Sequence, residues 1–99
     1  MRPLEPKDTA EAYAVEFKFD RVLATVSSAV VVASVLFGTD AEPGNLLDGA
    51  AQAVGSSVYQ RIKSGVAGCT YKLKCVATGT TPGGAETYSL SASIGVVEA

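Results

Sequence analysis

The sequence predicts an all-β protein, an immunoglobulin-like antiparallel β-sandwich of about six or seven short strands with an extended N-terminal arm. The composition is the first indication: Val, Ala, Ser, Thr and Gly are abundant, aromatics make up 7% and Trp is absent, which is typical of short, half-buried strands. The second is a repeated alternation of apolar and polar residues, and the third is the Gly- and Pro-rich turns between the alternating stretches. Ninety-nine residues suffice for one hydrophobic core, so a single domain is expected.

Residues 1–12 are predicted to be an arm outside the sandwich, and residues 13–99 to be the sandwich domain. This segment is polar, contains two prolines and has no clear periodicity, which is typical of an arm or linker that a partner could order. The first strand follows in YAVEFKFD at 13–20, where the odd positions are apolar and Glu16, Lys18 and Asp20 are charged. This period of two predicts a strand with one solvent-exposed face.

The second predicted strand covers residues 25–36, which are mostly small or β-branched. Apolar residues occupy both of its faces, so we expect both faces to be covered. Ser27 and Ser28 suggest a β-bulge that would bring Val26 onto the same face as Ala29. The uncharged run 22–39 has the length of a membrane span, but its serines and its alternation favour a strand, and no membrane association is predicted.

The centre of the chain predicts a long exposed loop followed by two short strands. The loop covers residues 38–45, a cluster of Gly, Pro, Asp and Asn, and Leu46 and Leu47 are expected to anchor its return. The strands are expected at 50–54 and 58–62. Tyr59 and Gln60 are expected to be exposed, where a tyrosine is a plausible interface contact.

The last part of the chain predicts two further strands joined by a hairpin loop at 79–84. The first has an apolar face of Tyr71, Leu73, Cys75 and Ala77, and the second has Tyr88, Leu90, Ala92 and Ile94. Tyr71 follows a glycine-flanked turn at 65–68, the setting of the tyrosine corner in immunoglobulin-like folds. Its predicted role is structural, with the hydroxyl bonded to a backbone group a few residues upstream.

The cysteines and the missing histidines limit the chemistry that the chain can carry. Cys69 and Cys75 would lie nearly 20 Å apart on one extended strand, at about 3.3 Å per residue, so two buried free thiols are expected. Without His, neither a usual zinc site nor a Ser–His or Cys–His nucleophile is expected. The sequence therefore predicts no enzyme, no metal and no cofactor.

Charge is segmented along the chain although the net charge is only −2. Residues 40–48 are acidic, and the stretch 61–74 is basic, which would allow neighbouring copies in a ring to complement each other. Solvated faces are the simpler interpretation. Because no dense basic cluster is present, nucleic-acid binding is not predicted.

Five stretches together resemble the small immunoglobulin-like virion proteins of tailed bacteriophages, often called fibre–tail adaptor proteins. They span most of the chain: LEPKD at 4–8, YAVEFKFD at 13–20, TVSSA at 25–29, GSSVYQ at 55–60 and GVAGCTYKLKCVAT at 65–78. The resemblance implies a structural protein, made in the host cytoplasm and assembled in several copies on the virion, where it bridges tail or connector components to fibres.

Partner contacts are expected in the arm, in the central loop and beside the second short strand, at Leu4, Lys7, Asp8, Asp40, Glu42, Asn45, Tyr59 and Gln60. A capsid decoration protein is an alternative in the same class, separated only by its place in the particle. A carbohydrate- or surface-binding module is an alternative of another class, although such sites favour exposed aromatics. A small hydrolase is a third alternative, opposed by the lack of His.

Overall fold

The fold is an all-β sandwich, consistent with an immunoglobulin-like arrangement: of the residues that the structure describes, 61% lie in strands and 4% in helix. A computed structural model describes residues 2–4 and 6–97; residues 1, 5, 98 and 99, which belong to the predicted arm and domain, lie outside it. The strands are β1 (Arg2–Pro3), β2 (Lys7–Asp8), β3 (Tyr13–Lys18), β4 (Thr25–Phe37), β5 (Gln52–Val54), β6 (Ser57–Ile62), β7 (Thr70–Thr81) and β8 (Gly84–Val97). A 3-10 helix covers Pro43–Leu46. Counting β1 and β2 as two pieces of one strand gives seven strands.

Two sheets form the sandwich. The large sheet has the order β1-β8-β7-β4, with β2 also paired to β8, and the small sheet has the order β3-β6-β5. All pairs are antiparallel except those of β1 and β2, which run parallel to β8. Alternation places one face of each sheet in the core, as the sequence predicts.

The core lies between the inner faces of β3, β4, β6, β7 and β8. Its members are mostly medium-sized aliphatic residues with two aromatics from β3 and its continuation and one from β7; the fully buried large side chains include Phe19, Leu23, Leu46, Val58, Ile62, Tyr71, Leu73, Ile94 and Val96. The predicted anchoring by Leu46 is confirmed, and so are the two buried free thiols, Cys69 and Cys75.

The predicted bulge in β4 is confirmed. The pairing of β4 with β7 shifts register between Val26 and Ser28, and Val26 is buried with Val31 and Ala33. The Ser27 hydroxyl donates to the Thr78 carbonyl oxygen at 2.9 Å. The extra residue therefore keeps the apolar set of β4 on the inner face over its whole length.

The expectation that both faces of β4 are covered is wrong. Val30 and Val32 lie on the outer face of the large sheet, where nothing in the described chain covers them, and they are 62% and 56% exposed. The small sheet packs on the opposite face only. Apolar residues on both sides of a strand predict two buried faces, but in a sandwich of two sheets each strand has only one face in the core.

The N-terminal segment is paired with the domain, whereas the sequence analysis expected an arm outside it. Arg2 and Pro3 pair with Ala92 and Ser93, and β2 pairs with Val96 and Val97. The Leu4 and Thr9 amides donate to the carbonyl oxygens of Ser93 and Val97. The edge of β8 therefore supplies hydrogen-bond partners for this segment within the chain.

The β7–β8 hairpin is longer than predicted, because β7 continues to Thr81 and β8 begins at Gly84. The expected loop at 79–84 is thus a two-residue turn, Pro82-Gly83. The hairpin extends past the small sheet, and the molecule measures 46 × 21 × 20 Å.

Gly79 makes a close contact that only glycine permits. It pairs with Val26 in β4 and Glu86 in β8, and a Cβ at this position would overlap the Thr25 carbonyl oxygen and reach 3.2 Å from a Leu23 methyl carbon. Since Thr25 belongs to the neighbouring strand, its backbone has little freedom to move.

We therefore expect Gly79→Ala to lower the free energy of unfolding by about 1–3 kcal/mol, the usual cost of overpacking. Gly83→Ala is the matched control, because the nearest atom to its Cβ would be 3.6 Å away. Urea denaturation of the two variants measures the difference. Equal stabilities would show that the β4–β7 spacing relaxes.

Candidate protein-interaction surfaces

The Tyr71 hydroxyl joins the loop after β4 to the connection between β6 and β7. It accepts a hydrogen bond from the Val66 amide at 2.9 Å and donates one to Asp40 Oδ2 at 2.6 Å. The bond to a backbone group five residues upstream is the contact expected of a tyrosine corner. The second bond, to Asp40, was not expected from the sequence.

Both side chains of the Tyr71–Asp40 pair have shifted pKa values. Burial, and then the hydrogen bond to Asp40, raise the pKa of Tyr71 to about 12. The hydrogen bond from Tyr71, and then the Glu42 amide, lower the pKa of Asp40. The Asp40 carboxylate is thus engaged within the chain, although Asp40 is one of the predicted partner contacts.

Lys7 is a correction to the predicted partner contacts, because its side chain is fully buried. Its Nζ donates to the carbonyl oxygens of Asp8 and Ser64, both at 2.7 Å. Burial lowers the pKa of Lys7, while Glu11 and Asp8 act in the opposite direction. Lys7 thus links the N-terminal segment to the β6–β7 connection. Its acceptor Ser64 lies two residues before Val66, whose amide donates to the Tyr71 hydroxyl.

Gln60 is a second correction, since it is buried rather than exposed. It alternates with Val58 and Ile62 on the inner face of β6, and its Nε2 donates to the carbonyl oxygens of Gly49 and Arg61 at 3.0 and 2.8 Å. Tyr59 points to the opposite, exposed face, where its hydroxyl donates to Glu16 Oε2 at 3.1 Å.

The remaining predicted contacts lie in two separate regions. Leu4 is half-buried, and Asp8 Oδ1 accepts the Ala10 amide at 2.8 Å; both belong to the N-terminal segment. Glu42 and Asn45 are exposed in the central loop, where Asn45 Nδ2 donates to Glu42 Oε2 at 3.3 Å. The structure therefore brings Asp40, Glu42 and Asn45 together in the central loop, where Asp40 also binds Tyr71. The predicted residues of the N-terminal segment and Tyr59 lie elsewhere.

The most exposed apolar surface was not predicted as a site. We call it the outer strip: Val30, Val32 and Val76 on the outer face of the large sheet, with Phe37 at the far end of β4. Val30 is directly opposite Val76, and Val32 is opposite Lys74. Phe37 is 71% exposed. The sequence did contain an indication of this surface, namely the apolar residues on the second face of the strand predicted at 25–36.

A groove of about 450 Å³ runs along the open edge of β3. Its lining includes Leu4, Tyr13 and Val15 together with Glu11, Glu16 and Lys18. Tyr13 is partly buried against the core, and burial raises its pKa. A smaller cavity of about 220 Å³ continues from Lys18 toward Leu90 on β8.

The exposed aromatic side chains do not share one surface. Phe37 ends the outer strip, Tyr59 lies on the outer face of the small sheet, and Tyr88 lies on the overhanging hairpin. The hydroxyls of Tyr59 and Tyr88 are hydrogen-bonded to Glu16 and Glu86. Sugar-binding sites usually gather such rings in one place, so this arrangement gives the carbohydrate-binding alternative no support.

Among the described residues, no group of three or more His, Cys, Asp or Glu is placed to hold a metal ion. In the same part of the chain, no helix is long and apolar enough to cross a membrane. Comparisons of the chain with protein-family models, with curated proteins and with solved structures found no match.

We expect Tyr71→Phe to lower the free energy of unfolding at pH 8 by about 1–3 kcal/mol, because the hydrogen bonds to the Val66 amide and to the charged Asp40 carboxylate are both lost. Tyr59→Phe, which loses an exposed hydroxyl, should change stability little. Urea unfolding measures both. A Tyr71→Phe protein as stable as the wild type would show that the corner contributes nothing.

The pH dependence of the same variant tests the Tyr71 pKa. A tyrosine ionises near 10 in the unfolded chain and near 12 here, so between these values the folded state holds one more proton and stability falls as pH rises. The difference in free energy of unfolding between wild type and Tyr71→Phe should therefore become smaller from pH 8 to pH 11. Burial raises the pKa of Cys75 to about 11. Because both proteins contain Cys75, its contribution to the pH dependence cancels in the comparison. A difference in stability that stays constant over this pH range would contradict the raised pKa of Tyr71.

Proposed function

We propose that this protein is a structural component of a tailed-bacteriophage virion, an adaptor that joins tail or connector proteins to fibres by protein–protein contacts. It would be made in the host cytoplasm, act without catalysis, and assemble in several copies on the particle. The resemblance in sequence supports the setting. The observation that carries the contact role is the outer strip.

The outer strip has the properties of a docking surface. Three valines lie side by side on two paired strands, and two of them are more than half exposed. Contiguous apolar surface of this kind is uncommon on soluble monomers unless it binds something. Since β4 pairs with β7 without a register shift from Ser28 to Val35, the valines of the strip are held rigidly and lose little entropy when a partner covers them.

Charge around the strip favours an acidic partner surface. Lys72 and Lys74 project from the same face of β7 as Val76, because residues two apart share a face. The exposed acidic residue Glu42 lies in the loop that follows β4. Neighbouring copies in a ring would thus be able to set Glu42 of one against the lysines of the next.

A paired set of variants tests the strip. Val30→Gln with Val32→Gln should weaken binding to the tail, connector or fibre proteins encoded beside this chain by about tenfold or more, since burying one valine contributes about 1.5 kcal/mol or more. Ser28→Gln with Ser34→Gln places the same side chains on the same face of β4 and should bind like wild type. Biolayer interferometry with each purified candidate measures the affinities.

Two results would contradict the proposal. One is a wild-type protein that binds none of the neighbouring virion components. The other is a Val30→Gln, Val32→Gln protein that binds as tightly as the serine control. Thermal unfolding of both double variants checks that the sandwich remains intact.

A further inference from the structure

In the part of the chain that the structure describes, β8 has an open edge on the side away from β7. On one side β8 pairs with β7 in continuous register from Gly84 to Gly95. On the other side β1 reaches Ala92 and Ser93, and β2 reaches Val96 and Val97. Within the described chain, no strand pairs with residues 85–91 on that side.

Hydrogen bonds near the end of β8 show which backbone groups face this edge. The Val96 amide donates toward the β7 side, to the Cys69 carbonyl oxygen, whereas the carbonyl oxygens of Ser93 and Val97 accept bonds from the N-terminal segment. Neighbouring residues alternate in direction along an unbulged strand. The amides and carbonyls of Ala85, Thr87, Ser89 and Ser91 therefore point outward.

Natural proteins usually block such an edge with proline, lysine or a bulge. Residues 85–91 (AETYSLS) contain no proline and no lysine, and their pairing with β7 has no register shift. Tyr88 and Leu90 lie here on the inner face, where the small sheet covers them only in part, and are 36% and 39% exposed. The stretch thus combines an open ladder with partly exposed apolar side chains.

We propose that this edge pairs with the same edge of a second copy, antiparallel and about a two-fold axis at Tyr88. The free stretch is centred on Tyr88, so this register uses every outward-facing group: Ala85 lies opposite Ser91 of the second copy, and Thr87 opposite its Ser89. An isologous contact of this type closes at two subunits. The two large sheets become one continuous sheet, and the inference does not rest on the proposed virion role.

Charge selects a second copy as the occupant. In this register Glu86 lies opposite Leu90 of the second copy, on the inner face. Leu90 lines the cavity of about 220 Å³ together with Phe17 and Lys18. The Glu86 carboxylate of each copy therefore approaches Lys18 of the other, and the two-fold axis repeats the ion pair. The two Tyr88 rings meet on the axis and cover each other.

A charge swap tests the pairing in the full-length protein. Analytical ultracentrifugation should show a wild-type dimer, and Glu86→Lys or Lys18→Glu alone should raise the dimer dissociation constant by about tenfold or more. The double variant Lys18→Glu with Glu86→Lys should return it to within about threefold of wild type. Arg21→Glu, the same charge reversal as Lys18→Glu at an exposed residue before β4, should leave it unchanged.

A backbone variant tests the edge itself. Ser89→Pro removes an outward-facing amide and leaves the ladder with β7 intact, since proline is tolerated on the free side of an edge strand. It should be a folded monomer by circular dichroism and ultracentrifugation, whereas Ser89→Ala should remain a dimer. A monomeric wild type, a Ser89→Pro dimer, or a double variant that is not restored would overturn the proposal. A wild-type monomer whose β8 edge binds only a different protein would also overturn the proposal.

Discussion

The structure depends on the burial of β7 between two partner strands. β4 pairs with one edge of β7 and β8 with the other, and Tyr71, Leu73, Cys75 and Ala77 on its inner face are fully buried. Every backbone group along the centre of β7 is therefore satisfied within the sheet, as a buried strand requires. The N-terminal end of β7 is held separately, because the Tyr71 hydroxyl binds the Val66 amide and Asp40.

This arrangement leaves the large sheet with more surface than the small sheet can cover. The small sheet has three short strands, whereas β4, β7 and β8 each have at least twelve residues. Part of the β7–β8 hairpin is consequently exposed, whereas the outer face is exposed because no third sheet packs on it in the described part of the chain. The outer strip lies on that face and the free stretch of β8 lies on an edge, so one can be covered while the other remains available.

The sequence predicted the fold wherever a single face was apolar. β3 and β7 follow from alternation, and the bulge in β4 follows from the odd spacing of Val26 and Ala29 across two serines. The prediction that Gln60 is exposed was wrong: Gln60 alternates with Val58 and Ile62 on the inner face, and two backbone carbonyl oxygens accept hydrogen bonds from its side-chain amide there. The burial of Lys7 had no comparable signal, because its acceptor at Ser64 is 57 residues away. The prediction that both faces of β4 are covered was wrong for a third reason, since apolar residues on the second face of a strand do not show that anything packs on that face.

Amide hydrogen exchange measured by NMR, residue by residue, tests the central role of β7 most directly. If β7 carries the fold, the amides of Leu73, Cys75 and Ala77 should exchange only through global unfolding, more slowly than those of β3 and β5. Amides of β7 that exchange as fast as those of β3 or β5 would contradict this account.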